Sequence, residues 1–486
     1  MNTRTPDLRA IAWDAMRRYG FEPDFPATIE SETAGAPPIP DRLPDLRHLP
    51  WSSIDNHDSR DLDQIEYCEE GPEGAIRVAV AIADVDLRVR PGSAADRHAA
   101  HNGTSVYTGV ETFPMLPPRL SEGITSLLPD QDRVALVIRY TVQNDGSIRP
   151  DGIERALVRN RAHLVYEEVG EWLEGTGPLP ENIDAIPGLR EQVLLQNEAA
   201  QRMRRRRFEG GALDLETIEA GAVMEGAMVR DLIVRRQNAA HCLIEEFMIG
   251  ANTTIVGTLA AAGMPMIQRV VREPRDWKGI QRTAAEHGEY LPPEPDPVAL
   301  SRFLTGQRTA DPEGFPDLSL TIVKLIGPGI YLPLQPGEAS IGHFGLAISN
   351  YTHGTAPNRR YVDIIIQRLL KAALRGEGSP YTSEDLADLA EWLTGREKAS
   401  QKVERFMRKA AGAVLLGERI GESFDAIVTG ASERGTYVRL IAPPVEGRVM
   451  EGEYGLYVGQ RVRVRLILTD PYNGYIDFVC TGRSEP

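Results

Sequence analysis

The 486-residue chain has few cysteines and no long apolar segment. Cys68, Cys242 and Cys480 lie far apart and form no metal-ligand pair, so we expect three free, buried thiols in a reducing compartment. No apolar run is long enough to span a bilayer, and the first residues lack the short apolar segment of a secretory signal. These absences argue against a disulfide framework or a membrane anchor and predict a cytoplasmic protein.

Positive charge is also scarce. The sequence has 70 acidic and 54 basic residues, a formal net charge of −16. Affinity for nucleic acids usually comes from Lys and Arg contacts to phosphate, so this balance at first argues against a polyanionic partner. Net charge, however, averages over the whole surface, whereas a substrate meets one groove. The balance therefore excludes no partner.

Hydrophobic patterning divides the chain into a helical N-terminal segment, a strand-rich part, a helix-rich part and a second strand-rich part. Residues 1–22 predict one helix, and the Pro-rich residues 32–50 predict a linker. Strands dominate 51–165, with a buried run at 76–82 and a strand–turn–strand unit at 135–142 and 148–158. Helices are predicted at 186–208, 236–263, 361–375, 383–394 and 396–416, and the Pro/Asp-rich stretch 290–320 is predicted to be irregular. Short strands at 424–430, 436–442, 447–450, 461–469 and 476–480 suit a small OB-type barrel.

The sharpest local feature is an acidic segment at the start of the strand-rich part. Asp55, Asp58, Asp61 and Asp63 fall within nine positions of Trp51–Gln64. Crowded like charges repel one another, and such a cluster is stable mainly when a hard divalent cation neutralises it. A solvated acidic loop is the plainer alternative, and the cluster alone names neither the metal nor the substrate.

A second feature is the arginine loop, His343–Asp363, rich in Gly and Thr and ending in Arg359-Arg360 before a predicted helix. Two guanidinium groups and the free N–H groups of a helix start can bind one phosphate. An arginine pair that closes an ordinary helix N-terminus is an equally good interpretation of this loop alone.

Taken together, these segments resemble the ribonuclease II family, whose catalytic module is the RNB domain. The resemblance runs through Asp41–Arg47, Ser53–Asp63, Val80–Val85, Gly103–Tyr107, Phe113–Pro117, Leu243–Asn252 and His343–Tyr361. Residues 419–482 resemble the ribosomal-protein-type OB-fold that ends family members. The resemblance implies an α+β fold: a mixed sheet surrounded by helices, with an RNA channel, in an RNB domain at 41–418, and an OB-fold barrel at 419–486. Residues 1–40 would form a small helical segment, either helix-turn-helix-like or a structural brace.

The resemblance also implies an activity: processive 3′-to-5′ hydrolysis of single-stranded RNA to 5′-mononucleotides with Mg²⁺, or Mn²⁺ in its place. It implies a monomer that does not associate with a membrane and has no obligatory protein partner. Asp55, Asp61 and Asp63 occupy the family's metal-ligand positions, with Gln64 beside them. Arg359 matches the arginine on the scissile phosphate, and Glu404 a helper glutamate, so Asp63, Arg359 and Glu404 are the expected catalytic residues.

Expected RNA contacts come from the same resemblance and from one basic run. Tyr107 matches an aromatic at the channel end, and Tyr166 one that stacks on the 3′-terminal base. Arg360 follows Arg359 in the loop. Arg204 and Arg205 belong to a run that either tracks the RNA backbone or solvates a helix C-terminus. His241, on an apolar helix, is expected to be a core histidine rather than a ligand.

Several positions depart from the family pattern. Gln64 stands in place of a fourth aspartate and carries no charge, which Asp58 could restore. Ala356 lacks the hydroxyl of a serine that would donate to phosphate, and Leu215 replaces an aromatic, so base stacking is expected to be one-sided.

Gln64 keeps a second hypothesis open, a catalytically dead RNA-binding scaffold. A third, a hydrolase that uses paired carboxylates on sugars, gives the arginine loop and the OB-fold no role.

Overall fold

A computed structural model describes residues 6–34, 42–216, 219–225, 228–235, 237–312, 314–432 and 435–483. Asp41, the first residue of the RNB-like segments, lies outside these ranges. Within them, no helix combines the length and the apolar character needed to cross a membrane. Cys68, Cys242 and Cys480 are free, as expected, although only Cys68 is fully buried.

The N-terminal part holds two helices where the sequence predicted one, α1 (Leu8–Arg18) and α2 (Ala27–Ala34). Asp7 begins α1 by accepting hydrogen bonds from the N–H groups of the second and third helical residues. Gly20, with φ +78°, follows the end of α1, as predicted. The buried face of α1, including Leu8, Ile11 and Met16, packs in one cluster with Val403 of a long C-terminal helix. The segment therefore braces that helix.

Five strands of the strand-rich part close into a barrel in the order β1-β2-β3-β6-β7. Their bounds are β1 (Trp51–Asp55), β2 (Gln64–Glu70), β3 (Ile76–Ala83), β6 (Asp132–Val142) and β7 (Ile148–Val165). β1 pairs with β7 in parallel and the other pairs are antiparallel, so the predicted mixed sheet is confirmed. Between β3 and β6 lie α3 (Ala94–Asn102) and the paired short strands β4 (Val106–Tyr107) and β5 (Thr112–Phe113).

Helices pack around this barrel, as predicted. They are α4 (Tyr166–Leu173), α5 (Glu181–Asp184), α6 (Leu189–Glu209), α7 (Ala239–Ala261) and α11 (Tyr361–Leu374). The Tyr140 hydroxyl donates to the Phe247 carbonyl at 3.3 Å, which ties β6 to α7. A Cβ at Gly250 would stand 2.7 Å from the Tyr140 ring, so glycine permits this close approach. Two strand pairs were not predicted, β8 (Glu219–Glu225) with β9 (Met228–Arg235), and β10 (Met266–Val270) with β11 (Ile330–Leu334).

The prediction that residues 290–320 are irregular was wrong. After α8 (Trp277–Glu286), this stretch contains α9 (Pro297–Ala310) and the start of α10 (Phe315–Ile326). Both helices carry proline in the first turn, where its missing N–H needs no partner and its fixed φ suits a helix. The prolines therefore begin helices here rather than interrupt them. The three helices share a separate apolar cluster.

The two helices predicted at 383–394 and 396–416 form one helix, α12 (Ser383–Leu415). Thr382 and Asp385 form the expected capping box at its start. Gly395, at the predicted break, does not interrupt the helix.

The C-terminal strands are β12 (Ser423–Ser432), β13 (Gly435–Leu440), β14 (Glu446–Glu451), β15 (Arg461–Asp470) and β16 (Tyr475–Arg483). They close into a barrel in the order β12-β13-β14-β16-β15, which confirms the predicted small barrel.

Candidate active site

The acidic segment begins where β1 reaches the rim of the first barrel. Asp55 is the last residue of β1, and its Oδ1 accepts hydrogen bonds from the Asn56 N–H and the Ser59 hydroxyl, both at 2.7 Å. These bonds orient the Asp55 carboxylate. Asp58 lies at an exposed position of the same turn.

Leu62 anchors the second half of the segment. Its side chain is buried in the core of the barrel, its N–H donates to the Ser126 hydroxyl oxygen, and its carbonyl accepts from the Leu127 N–H, both bonds being 3.0 Å long. The carbonyl of Asp63 accepts from the Ala83 N–H at 2.9 Å, which joins the segment to β3. The acidic residues on either side of Leu62 are thus fixed by the surrounding core.

The arginine loop is held by hydrogen bonds to its backbone N–H groups. The N–H of Gly354 donates to Asn252 Oδ1 at 2.8 Å, and that of Ala356 to Asp363 Oδ1 at 2.7 Å. The N–H of Asn358 donates to Asp63 Oδ1, also at 2.8 Å, and joins the two motifs directly. A Cβ at Gly354 would stand 2.7 Å from the end of the Ile255 side chain of α7, so a larger residue there would require that side chain or the loop to shift.

Arg359 stands over the acidic segment. Its Nε lies 3.6 Å from Asp63 Oδ2, and its side chain is 46% exposed, whereas that of Asp63 is 3% exposed. The Arg359 carbonyl accepts from the Ser105 N–H at 2.9 Å and the Thr104 hydroxyl at 3.1 Å. The backbone is therefore fixed while the guanidinium reaches solvent beside a buried carboxylate.

Tyr107 ends the strand that begins two residues after Thr104, and its ring is 43% exposed. Its phenol interacts electrostatically with Arg359, Asp61, Asp63 and Asp55. The structure thus brings Tyr107 to the same rim as the acidic and arginine motifs.

Burial shapes the electrostatics of the two central carboxylates. It raises the pKa of Asp61, which Arg359 lowers and Asp55 and Glu122 raise further. It raises the pKa of Asp63 well above its usual value, against the opposing effect of Arg359. Several carboxylates share one positive neighbour, so the site favours an additional cation.

The donor atoms at this rim suit a hard divalent cation. Asp55, Asp61 and Asp63 offer carboxylate oxygens, the ligands that Mg²⁺ prefers, and Gln64 offers an amide oxygen. In the described part of the chain, however, no three His, Cys, Asp or Glu side chains are grouped so that they could hold a metal ion. The residue types therefore fit a divalent cation.

Two known domain families match this chain. The profile of the RNB domain matches residues 44–376, more than half of the chain. The chain belongs to the RNB-domain family. The profile of the RNase II-type exonuclease C-terminal S1 domain matches residues 422–481, the second barrel.

Relatives and solved structures extend this RNB-domain assignment. Ribonuclease R of Aquifex aeolicus is 31% identical over 99% of this chain and 72% of its own length. Ribonuclease R of Thermotoga maritima is 29% identical over 91% of this chain, which spans 65% of that protein. The structure of Mycoplasma genitalium RNase R in complex with ribose methylated single-stranded RNA has a TM-score of 0.86. It is 21% identical and covers 98% of this chain and 78% of its own, which establishes the shared fold.

Tyr166 begins α4 of the RNB domain, near the acidic rim. Its ring stacks on His241 with the ring centroids 4.1 Å apart and the planes 11° from parallel. Its phenol interacts electrostatically with Asp55 and Arg359. His241 is thus not a simple core residue but covers one face of Tyr166. Leu215 packs instead beside the apolar cluster of α8, α9 and α10.

Arg360 and Glu404 have structural contacts. Both oxygens of the fully buried Asp363 carboxylate accept from Arg360, at 2.8 Å each. Glu404 lies on α12 and accepts from the Ser400 hydroxyl at 3.0 Å. The hydrogen bonds of both side chains thus lie within the fold, those of Arg360 to Asp363 and that of Glu404 to Ser400.

The basic run on α6 is also engaged within the fold. Arg204 donates to Asp214 Oδ1 at 3.1 Å and lies over the Phe208 ring at 4.7 Å. Arg207 pairs with the fully buried Glu246. Arg205 is exposed on the same helix. The geometry thus favours helix packing over the tracking of RNA for Arg204, and leaves Arg205 on the surface.

Sequence patterns did not identify the residues that hold the loop in place. Asn252 lies within a helix motif, and Asp363 in the first turn of a helix, where an acid is ordinary. Their importance follows from their hydrogen bonds to the arginine loop, which join residues about a hundred positions apart in the first case. No short-range signal could have indicated that contact.

Proposed function

We propose that the chain is a processive 3′-to-5′ exoribonuclease that hydrolyses single-stranded RNA to 5′-mononucleotides. Membership of the RNB-domain family and the relatives named Ribonuclease R support the reaction class. The Mycoplasma protein bound to single-stranded RNA has the same fold and supports the substrate class. One observation carries the proposal: the half-exposed Arg359 lies beside the buried Asp63, in a loop hydrogen-bonded to the acidic segment.

The residues of this rim can perform complementary tasks. Arg359 offers a positive charge to a phosphodiester oxygen, where negative charge increases in the transition state. Asp63 holds the loop through the Asn358 N–H, so the position of Arg359 depends on the acidic segment itself. The exposed ring of Tyr107 and the half-buried ring of Tyr166, one face of which His241 covers, offer π-faces to bases without selecting among them.

Mg²⁺ is the cation we propose, with Mn²⁺ as a substitute, because RNB-family nucleases are metal-dependent in general. Asp55, Asp61 and Asp63 would hold it, with Gln64 as an uncharged neighbour. Bound divalent cations would activate the attacking water and stabilise the leaving 3′ oxygen.

A groove of about 620 Å³ between α12 and the C-terminal barrel is the external RNA grip that we propose. Its lining includes two acidic residues, Glu446 and Asp477. The other charged and aromatic lining residues are four cations and four aromatic rings: Lys402, Arg405, Lys409 and Arg448, and Tyr19, Phe406, Tyr437 and Tyr475. Cations beside aromatic rings suit a single strand, because phosphates and bases both find partners. This groove would provide the local positive charge that RNA needs, although the net charge of the whole chain is negative.

The groove also fits the roles that we propose for the three parts of the chain. Residues 41–418 would be the catalytic domain, residues 419–486 the RNA-binding barrel, and residues 1–40 the brace on α12. Tyr19, beside the brace, lines the groove with the barrel.

Incubation with oligo-A labelled at either end tests the proposed activity. With Mg²⁺, the 5′-labelled strand should shorten stepwise, the 3′-labelled strand should release labelled mononucleotide at once, and chelation should stop both. Endonucleolytic fragments, or release from the 5′ end, would contradict the proposal. Trapping with excess unlabelled RNA after mixing tests processivity.

The second candidate is a catalytically weakened RNA-binding scaffold of the same fold. Gln64 favours it, as does the lack of a preformed three-ligand group in the described residues. Such a protein would bind oligo-A without shortening it at any Mg²⁺ or Mn²⁺ concentration, so the same assay separates the two.

A further inference from the structure

Glu66 is a fully buried carboxylate that the site described above does not use. It lies in β2 and has 0% exposure. Neither of its carboxylate oxygens has a hydrogen-bond partner within the described part of the chain. The ionised form of a buried carboxyl group is strongly unfavourable unless a cation or a donor compensates it, and without one the group binds a proton. Only in its ionised form does Glu66 therefore require a partner.

Glu66 follows Gln64 by two residues on the same strand. Side chains alternate along a strand, so Gln64 and Glu66 share one face, about 7 Å apart along β2. Gln64 is 8% exposed and lies next to the acidic segment, and Glu66 is one step deeper. Asp55 is the charged residue that interacts with the Glu66 carboxylate. The buried acid is thus adjacent to the one position of the site that lacks a charge.

Two further unpartnered oxygens lie beside Glu66. Ser52 is its register partner on β1, and the Ser52 hydroxyl is buried without a hydrogen-bond partner among the described residues. The Gln196 Nε2 donates to the Glu66 carbonyl at 3.5 Å, and the Gln196 Oε1 is equally unpartnered there. Glu66, Ser52 and Gln196 thus each have a buried side-chain oxygen without a hydrogen-bond partner among the described residues, and oxygen ligands are those that Mg²⁺ and Mn²⁺ take.

We propose that Glu66 supplies the carboxylate that Gln64 lacks, and that a second divalent cation binds between Asp55 and the face of β2 that carries Gln64 and Glu66. The inference rests on the proposed function, because it concerns the second of two catalytic cations, which lie about 4 Å apart in such sites. Asp58, the other acidic residue available, lies on an exposed turn.

The test measures Mn²⁺ binding to the full-length protein without RNA, by calorimetry and by electron paramagnetic resonance. The wild type should bind two ions. Glu66→Gln should weaken the second ion by roughly 10- to 100-fold, the usual range for loss of a supporting group at a metal site. Asp58→Asn, the matched control, should titrate like the wild type. The double variant Gln64→Asp with Glu66→Gln should recover the second ion, because it returns the carboxylate to position 64.

A fold control accompanies the titration. In the presence of chelator, Glu66→Gln should unfold at the same temperature as the wild type or higher, because an amide of the same size occupies this buried position without carrying a charge. A lower unfolding temperature, together with failure of the double variant to recover the second ion, would show a structural role and overturn the inference. So would a Glu66→Gln titration identical to that of the wild type.

The proposed metal site and the proposed exoribonuclease activity can be contradicted separately. If the wild type shortens RNA from the 3′ end but binds a single Mn²⁺, the inference about Glu66 is wrong and the proposed function stands. If the wild type binds two Mn²⁺ through Glu66 and does not shorten RNA, the metal site is supported and the proposed function is wrong.

Discussion

Arg359 and Arg360 are neighbours in sequence, yet the structure predicts opposite consequences when each is replaced by alanine. The Arg359 side chain is 46% exposed, with its Nε 3.6 Å from Asp63. The Arg360 side chain is 21% exposed and donates to both oxygens of Asp363, whose own side chain is fully buried. Arg359→Ala should therefore damage catalysis, and Arg360→Ala should damage the fold of the loop.

The magnitudes follow from these contacts. Loss of a donor that stabilises transition-state charge lowers the rate by about 10²- to 10³-fold, or about 2.7–4 kcal/mol. The contact of Arg359 with the buried Asp63 is long, at 3.6 Å, and half-exposed on the arginine side, so it contributes about 1 kcal/mol to stability. Removal of Arg360 leaves the buried Asp363 uncompensated, which lowers the free energy of unfolding by about 3–5 kcal/mol. Because Asp363 also accepts from the Ala356 N–H, the arginine loop should loosen as well.

Two measurements separate these effects. Single-turnover hydrolysis of 5′-labelled oligo-A at saturating protein gives the chemical step, and urea denaturation gives the free energy of unfolding. Arg359→Ala should hydrolyse RNA more slowly and keep its denaturation midpoint and most of its RNA affinity. Arg360→Ala should instead unfold at a lower urea concentration. Arg359→Lys, which keeps the charge without the planar fork, should retain part of the rate. Equal effects of the two alanine variants on rate and stability would refute the reasoning.

Three further variants test other parts of the molecule. Asp63→Asn should lower turnover at least ~10²-fold, while RNA affinity stays or tightens because a negative charge is lost. Arg448→Ala, in the groove, should reduce the slope of log affinity against log salt by roughly 0.7 for long single strands and spare short oligonucleotides. Burial lowers the pKa of His343 from 6.5 to about 4. Between these two pKa values the unfolded chain binds more protons than the folded protein, so the free energy of unfolding decreases as the pH falls through this range. His343→Asn, which keeps an acceptor for the Leu346 N–H, should flatten this loss in urea denaturation across pH 4–7.

Each of the three has an outcome that contradicts it. A near-wild-type rate for Asp63→Asn in an Mg²⁺ titration would remove Asp63 from the site. Arg461, exposed on the same barrel but outside the groove lining, provides the control for Arg448. Equal salt slopes for both variants would place the RNA elsewhere. An unchanged pH dependence for His343→Asn would show that His343 does not titrate in this window.

The chemistry-bearing segments could be predicted from the sequence because their signals are local. Asp55, Asp61 and Asp63 lie within one short segment, and Arg359 stands at a helix start, so residue type and spacing singled out both segments, and the resemblance to the ribonuclease II family supplied the expected roles. The strands of the C-terminal barrel were predicted for the same reason, since alternation and turn residues act over a few positions. Local signals failed where one residue type has two uses: Pro297 and Pro316 lie in the first turns of helices, and Gly395 lies inside α12.

The sequence by itself therefore determined the set of groups that can act on a phosphodiester, and the approximate order of the elements that carry them. Only the tertiary structure decided which groups meet. It joined the Asn358 N–H to Asp63, 295 positions away, and assigned Arg360 to Asp363. It also buried Glu66 beneath Gln64 and gathered cations into one groove on a chain of net charge −16. The physical reason is that burial and pairing depend on which distant surfaces pack together, and no local pattern records that choice.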